Sequence, residues 1–274
     1  MAEKKIGSLY QTMTHHYNKP HQQLLKFVRT VLTLENVCKQ GPINNLPVFT
    51  NGMSALVCRT EKNKHSNNYV LELSLYGKSV PSEIILTEQT GSATTIICFF
   101  YPFVLAPLFN LATSQLQQAP VDMHNWNAHI TNALKTQLFY ADTTHKLISI
   151  LDNLLLQQLQ ENRRQVENIR YATDTIMCNT NMHVLSALQS ELDLSERTFQ
   201  RLFKKFVGIT PNQYRRICQF QDAFTQVKAA NFEKLTDVAF DNDFADQSHF
   251  IRTFKEFSQM TPNTYLKAGL QGRK

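Results

Sequence analysis

The sequence predicts an α+β chain in two parts, a small antiparallel sheet or barrel-like domain with helices followed by an all-α domain. Three observations carry this. Between residues 46 and 100 the chain breaks into short runs rich in β-branched and aromatic residues, separated by turn material. After Pro102 the apolar residues recur at helical spacing instead. The last third contains one segment written twice, SERTFQRLFKKFVGITPNQY at 195–214 and DQSHFIRTFKEFSQMTPNTY at 246–265. Shifted by 51 positions the copies are identical at nine of twenty places, so they are two instances of one structural unit.

Taken in order, residues 1–20 are polar and are expected to stay unstructured. The opening MAEKKIGSLY lacks the apolar run of a signal peptide. Leu24, Leu25, Val28, Val31 and Leu32 have helical spacing and predict a helix over 22–34. Strands are expected at 55–59, 69–77, 83–87 and 93–101, with turns at Asn51-Gly52 and over 61–68. In the second of these, Val70, Glu72, Ser74 and Tyr76 alternate with Tyr69, Leu71, Leu73 and Leu75, the pattern of a half-buried strand. Helices follow at 102–112, 126–140 and 143–160. The last carries Leu147, Ile150, Leu151, Leu154, Leu155 and Leu159 as an apolar stripe. That stripe fits either a homodimer interface or a cover for the sheet. The Gln- and Arg-rich residues 157–165 read as a junction, and 166–177 as a further helix.

Composition narrows the function classes. Hydrophobic residues at 42% and charged ones at 18% describe a globular protein. The net charge is +6, and the halves either side of residue 180 carry +3 each, so net charge singles out neither. Five cysteines (Cys38, Cys58, Cys98, Cys178 and Cys218) are scattered and odd in number, without a C-x-x-C pair. That pattern argues against a disulfide scaffold or zinc site and predicts small core thiols in a reducing cytoplasm. The longest apolar stretch, 96–109, is broken by Pro102 and Pro107 and is shorter than the about 20 residues a membrane span needs. No nucleophile elbow, phosphate-binding glycine loop or zinc-protease motif is present, so no enzyme activity, metal or cofactor is expected. His15-His16 is expected to be solvated, and His124 and His129, five apart, share no helix face. The aromatic run 99–103 fits either a core strand feeding a helix or the lining of an apolar effector pocket.

The repeat has a definite geometry. Phe199, Phe203 and Phe206 fall at i, i+4 and i+7, as do Phe250, Phe254 and Phe257, so each copy is a helix with an aromatic back. These six rings, with Tyr214 and Tyr265, are assigned to the core. Arg201 lies two residues past Phe199, roughly 200° round the helix, and points the other way. Ser195 and Asp246 are good N-caps, and each Thr-Pro pair ends one helix and starts the next. A shorter helix precedes each copy, at 184–192 and 234–242. A short helix, a tight turn and a helix with an Arg-bearing front make a helix-turn-helix, here twice. Residues 212–229 read as one connecting helix with Ile217, Phe220, Ala223, Phe224 and Val227 inward. At 1.5 Å per residue it is roughly 27 Å long, suited to placing two helices in successive major grooves about 34 Å apart. One chain could then read two direct, asymmetric half-sites.

These residues resemble the DNA-binding region of the AraC/XylS family of bacterial transcription regulators. The stronger match is VAFDNDFADQSHFIRTFKEFSQMTPNTY, residues 238–265. It follows the family pattern of I/V-A, three variable residues, Gly-Phe, then D-x-S-x-F-x-R-x-F-K and T/S-P-x-x-Y. The resemblance covers about the last 90 residues. Asp193 and Asp243 replace the family's turn glycines, and Asp is among the few residues that tolerate a left-handed backbone. Gln189 stands at a position usually held by Ala, which Ala239 keeps in the second unit, and Gln219 stands where Arg is usual. More weakly, the first 160 residues resemble the sheet-plus-helices sensor domains of some members.

The resemblance implies a division into a sensor or dimerisation domain (1–160), a linker with a lead-in helix (161–180) and a DNA-binding domain (181–268). It implies a cytoplasmic, sequence-specific regulator, an activator by expectation, with double-stranded DNA and RNA polymerase as partners. A small-molecule effector and a second copy of the chain are further candidate partners, and a membrane is not. Arg197, Gln200, Arg201, Gln247, Ser248, His249 and Arg252 occupy positions that in this family commonly reach bases or nearby backbone. Arg suits guanine and Gln adenine. Lys204, Lys205 and Lys255 are assigned mainly to phosphates, which position without specifying. Two rivals stay open on the residues alone. An architectural protein would bind all DNA alike, and an enzyme fused to a DNA-binding module would need a nucleophilic cysteine motif that none of the five provides.

Overall fold

The computed structural model describes residues 14–35, 45–47, 53–62, 69–77, 83–85, 92–117, 119–230 and 232–271. The expected turn at Asn51-Gly52, the end of the 83–87 strand, Cys38 and residues 1–13 lie outside these, as does the turn expected over 61–68 except Glu61 and Lys62, which are in a strand. The chain forms two compact units, Met1–Glu167 and Asn168–Lys274.

The strands of the first unit are β1 (Thr14–Asn18), β2 (Val28–Glu35), β3 (Asn45–Pro47), β4 (Ala55–Lys62), β5 (Tyr69–Tyr76), β6 (Glu83–Ile85), β7 (Ser92–Phe100) and β8 (Val121–Asp122). Six make one antiparallel sheet in the order β1-β2-β7-β4-β5-β8, and β3 pairs with β6. On one face Leu34, Ala55, Val57, Ile97 and Phe99 cluster. The alternate residues Leu56, Cys58, Ile96, Cys98 and Phe100 are buried as well. A sheet covered on both faces reads as continuous apolar runs, which is why β4 and β7 are legible. Phe99 and Phe100 thus belong to the core on opposite faces. Two residues beyond Val57, buried Arg59 meets Glu61 at 3.2 Å and Glu72 at 3.5 Å. A guanidinium is tolerated there because carboxylates surround it.

Several expectations are corrected. Residues 22–34 are not a helix; only Gln22–Leu24 make a 3-10 turn, and β2 follows. The helical spacing arose because a register shift between Val28 and Thr30 puts Val28 and Val31 on one face three residues apart. Residues 14–18, expected to be unstructured, are strand β1 on the edge of β2.

The helices of this unit are α1 (Leu105–Leu108), α2 (Met123–Trp126), α3 (Ala128–Phe139) and α4 (Thr144–Cys178). The 102–112 helix shrinks to α1 because the chain turns left-handed at Phe103 (φ 62°) and Asn110 (φ 52°). The 126–140 helix begins only at α3, whose N-cap Asn127 is extended and accepts from the Ile130 N–H at 3.1 Å. The helices expected at 143–160 and 166–177 are continuous with each other. They are one helix of 35 residues, and the boundary between the two units falls within it. The polar residues that suggested a break are capping groups. Asn162 and Gln165 donate to the carbonyls of Leu108 and Pro107, both at 3.0 Å, at the end of α1.

The apolar stripe of α4 is occupied within the chain. Leu147, Leu151, Leu154 and Leu155 are all buried, so the homodimer expected on that face has no surface there. Cys58, Cys98 and Cys218 are buried as expected, and burial pushes the Cys58 thiol up to about 12. Cys178, by contrast, is exposed at the end of α4. Among the described residues no helix is long and apolar enough to cross a membrane. Leu151→Ala is expected to lower the unfolding free energy by about 2–5 kcal/mol through a core cavity, read from the urea midpoint. Loss of self-association without loss of stability would instead make the stripe an interface.

Candidate nucleic-acid interface

The second unit continues with α5 (Val184–Glu191), α6 (Glu196–Val207), α7 (Pro211–Ala229), α8 (Leu235–Asp241), α9 (Gln247–Ser258) and α10 (Pro262–Gln271). The pairs α5–α6 and α8–α9 are the two helix-turn-helix units, and α7 joins them. Their turns are built alike. Asp193 (φ 52°) and Asp243 (φ 58°) take the left-handed conformation that the turn requires. The next N–H reaches back into the preceding helix, from Leu194 to Gln189 O and from Phe244 to Ala239 O, both at 2.9 Å. Ser195 then caps α6 by accepting from the Thr198 N–H at 3.3 Å, and Asp246 caps α9 by accepting from His249 N–H at 2.7 Å. Helices α6 and α9 each end left-handed, at Gly208 and Gln259. Thr210 opens α7 in a capping box with Gln213, with Pro211 in the first position.

The aromatic rows face inward. Phe199, Phe203, Phe206, Phe250 and Phe254 are essentially buried, and Phe257 is half-buried against Phe220 at 5.1 Å between ring centroids. Tyr214 packs on Phe203 at 5.6 Å. Burial, then the neighbouring Cys218 and Asp174, raises its phenol pKa, so the hydroxyl stays protonated and the ring structural.

On α6 the outward residues Arg197, Gln200, Arg201 and Lys204 fall at i, i+3, i+4 and i+7 and form one exposed stripe. Gln200 Nε2 donates to Glu196 Oε1 at 2.9 Å. Lys205 stands apart, half-buried with its ammonium 4.8 Å from the Phe206 ring centre. On α9 the corresponding stripe is Ser248, Arg252 and Lys255, all exposed, with Arg252 Nε donating to Ser248 O at 3.3 Å. Gln247 is exposed in the first turn but off this stripe. His249 is half-buried, its ring edge-on to Phe244 at 5.3 Å. The structure therefore brings together four of the five positions chosen on α6 and three of the five on α9.

Four residues of α7 escaped the sequence reading. Arg216 binds Glu256 of α9 at 2.6 Å, which ties up the acidic counterpart of Lys205. Arg215 Nη1 donates to Thr180 O at 2.8 Å. Gln219 Nε2 donates to Asn242 O at 3.0 Å and Asp243 O at 2.9 Å. Gln226 Nε2 donates to Asp241 Oδ2 at 2.9 Å and its Oε1 accepts from Asn242 at 2.6 Å. Only the departure from Arg at Gln219 hinted at any of them. Among the described residues no cluster of His, Cys, Asp or Glu could hold a metal.

Two capped helix-turn-helix units with repeated basic stripes define a DNA-binding domain of the double-headed class. Residues 188–268 match the family described as helix-turn-helix domain. These residues are thus a helix-turn-helix domain of the AraC type. No curated protein matches the chain. Among solved structures, a probable AraC family transcriptional regulator from Rhodopseudomonas palustris CGA009 is similar at 18% identity and TM-score 0.35, over 37% of this chain and 96% of that one. A DNA-binding transcriptional dual regulator from Escherichia coli K-12 is similar at 20% identity and TM-score 0.33, over 39% and 93%. Unsaturated fatty acid-bound ToxT from Vibrio cholerae strain SCE256 is similar at 12% identity and TM-score 0.32, over 93% and 94%.

The caps give a direct test of the local geometry. Asp246→Ala is expected to cost about 0.5–2 kcal/mol of stability in a chemical melt, while Asp246→Asn stays near the parent, since Asn caps as well as Asp.

Proposed function

We propose that the protein is a sequence-specific cytoplasmic regulator of transcription, acting as an activator that recruits RNA polymerase. In this reading α6 and α9 enter successive major grooves of double-stranded DNA. One observation carries it: the stripe Arg197, Arg201, Lys204 recurs 51 residues later as Ser248, Arg252, Lys255, in the same place on an equally capped helix. A merely solvated surface has no reason to repeat in register. Arg197, Gln200, Arg201, Gln247, Ser248, His249 and Arg252 are assigned to base edges or adjacent backbone, and Lys204, Lys205 and Lys255 to phosphates. Residues 1–160 form the controlling domain, which receives an effector, and residues 181–268 form the DNA-binding domain.

Selection of bound sequences from a random duplex pool with the whole protein, followed by genome-wide mapping of bound DNA, tests the reading. A two-part consensus upstream of promoters supports it; enrichment of no sequence removes it in favour of an architectural role. On the selected site Arg252→Ala is expected to cost about 1–3 kcal/mol and to relax preference at one base position. Lys255→Ala is expected to weaken cognate and random DNA alike and to lower the salt slope by about one. Equal behaviour of the two variants on both DNAs would undo this sorting of contacts.

A further inference from the structure

The connecting helix carries more directional bonds than its packing requires. Arg215 and Gln219 are four residues apart and so lie one above the other on the same face of α7. Arg215 holds Thr180 O, in the chain leading into the first helix-turn-helix. Gln219 holds the carbonyls of Asn242 and Asp243, in the turn of the second. A single turn of α7 thus holds both the chain that enters the first unit and the turn of the second.

The Gln219 grip has one orientation. Its side chain is buried, and Oε1 is enclosed without a hydrogen-bond partner. Reversing the amide would set that oxygen against two carbonyls, so the side chain is held by its donor end and an unpaired acceptor is tolerated to keep it there. Asn242 is the C-cap of α8 and Asp243 the left-handed turn residue after it, so the bond holds the turn between α8 and α9 in place. The Asp243 carboxylate also acts on Arg215. Burial and then Arg216 lower the Arg215 pKa, while Asp243 opposes them, which places the first unit's grip within electrostatic reach of the second unit's turn. Gln226 and Arg216 add bonds to Asp241, Asn242 and Glu256.

Apolar packing of Ala223, Val227, Val238, Ala239, Phe250 and Phe254 already holds α7, α8 and α9 together. That attraction is non-directional and tolerates small rotations. Hydrogen bonds to fixed carbonyls do not. On DNA the difference matters, because one base pair more between half-sites displaces the second by about 3.4 Å and turns it by roughly 35°.

We propose that Gln219, with Arg215, is a positioning clamp that sets the relative placement of the two reading helices and thereby the half-site spacing the protein accepts. The proposal rests on the DNA-reading function above. Neither residue need touch DNA; both act through the backbone they hold.

The test uses the full chain and a random duplex pool. Wild type is expected to enrich two half-sites at one spacing. Gln219→Met, which keeps the length and removes the donors, is expected to enrich the same half-sites at several spacings and to bind the wild-type consensus about tenfold more weakly. Gln219→Arg, which keeps donors at that place, is expected to restore the single spacing. Hydrogen exchange on the free proteins supplies a DNA-independent arm, in which the Phe244 amide should exchange faster in Gln219→Met. A purely stabilising side chain would lower the melting temperature and leave the spacing distribution sharp, and that result overturns the clamp. If wild type enriches no sequence, the DNA-reading function fails instead, and unchanged Phe244 protection then overturns the clamp independently. If Gln219→Met does not fold, a broadened distribution in Gln219→Arg overturns it.

Discussion

Phe254 meets Phe220, Phe224, Phe250 and Tyr265 with ring centroids 5.5 to 6.1 Å apart, and that contact fixes the roll of α9 about its own axis. Once the roll is fixed, the outward positions follow from the helix period, and Arg252 and Lys255 have nowhere to point but away. The same logic governs α6, where Phe199 and Phe203 lie 5.7 Å apart and Phe203 packs on Tyr214. Aromatic side chains suit this task because they bury a large area on few rotatable bonds. A Leu row would hold the helix as firmly and orient it less.

Around this constraint the charges are arranged to leave the two stripes basic. Glu256, which replaces Lys205 in the second copy, is engaged by Arg216 at 2.6 Å. Glu196 sits in the first turn of α6, where the helix N-terminus favours an acid. Glu256 is thereby paired, and Glu196 is favoured where it stands. The net charge of the chain is only +6, so the field that DNA would meet is a matter of placement rather than of total charge.

Legibility in the sequence tracked how local the determining interaction was. The helix-turn-helix units could be read because caps, turns and aromatic rows all act within a few residues, and Ser195, Asp193, Asp243 and Asp246 behave as their chemistry dictates. Strands β4 and β7 showed as apolar runs. Strand β2 did not, since a shift of register at Val28 imitates helical spacing and its true partners lie far off in β1 and β7. The length of α4 was hidden because Asn162 and Gln165 look like linker residues until the carbonyls of α1 are placed beside them. Of the candidate site, the stripes were legible by period, whereas the half-burial of Lys205 and His249 depends on the rings of Phe206 and Phe244. The Gln219 grip was not legible either, because its acceptors are backbone atoms more than twenty residues away.

The internal use of the α4 stripe bears on how a two-part site would be read. A protein with one reading helix per chain obtains its half-site spacing from a subunit interface, and its binding to paired sites depends on dimer concentration. Here Leu147, Leu151, Leu154 and Leu155 are buried, and on the proposed reading both reading helices belong to one chain. On that reading a tether of one helix would make the second contact intramolecular, with an effective concentration set by α7 rather than by the amount of protein. Such a tether is useful only when stiff, since a loose one would accept many spacings and lose discrimination as it gained avidity. On the proposed reading the bonds from α7 to the carbonyls of Thr180, Asn242 and Asp243 supply that stiffness and do the work that symmetry does in a dimer.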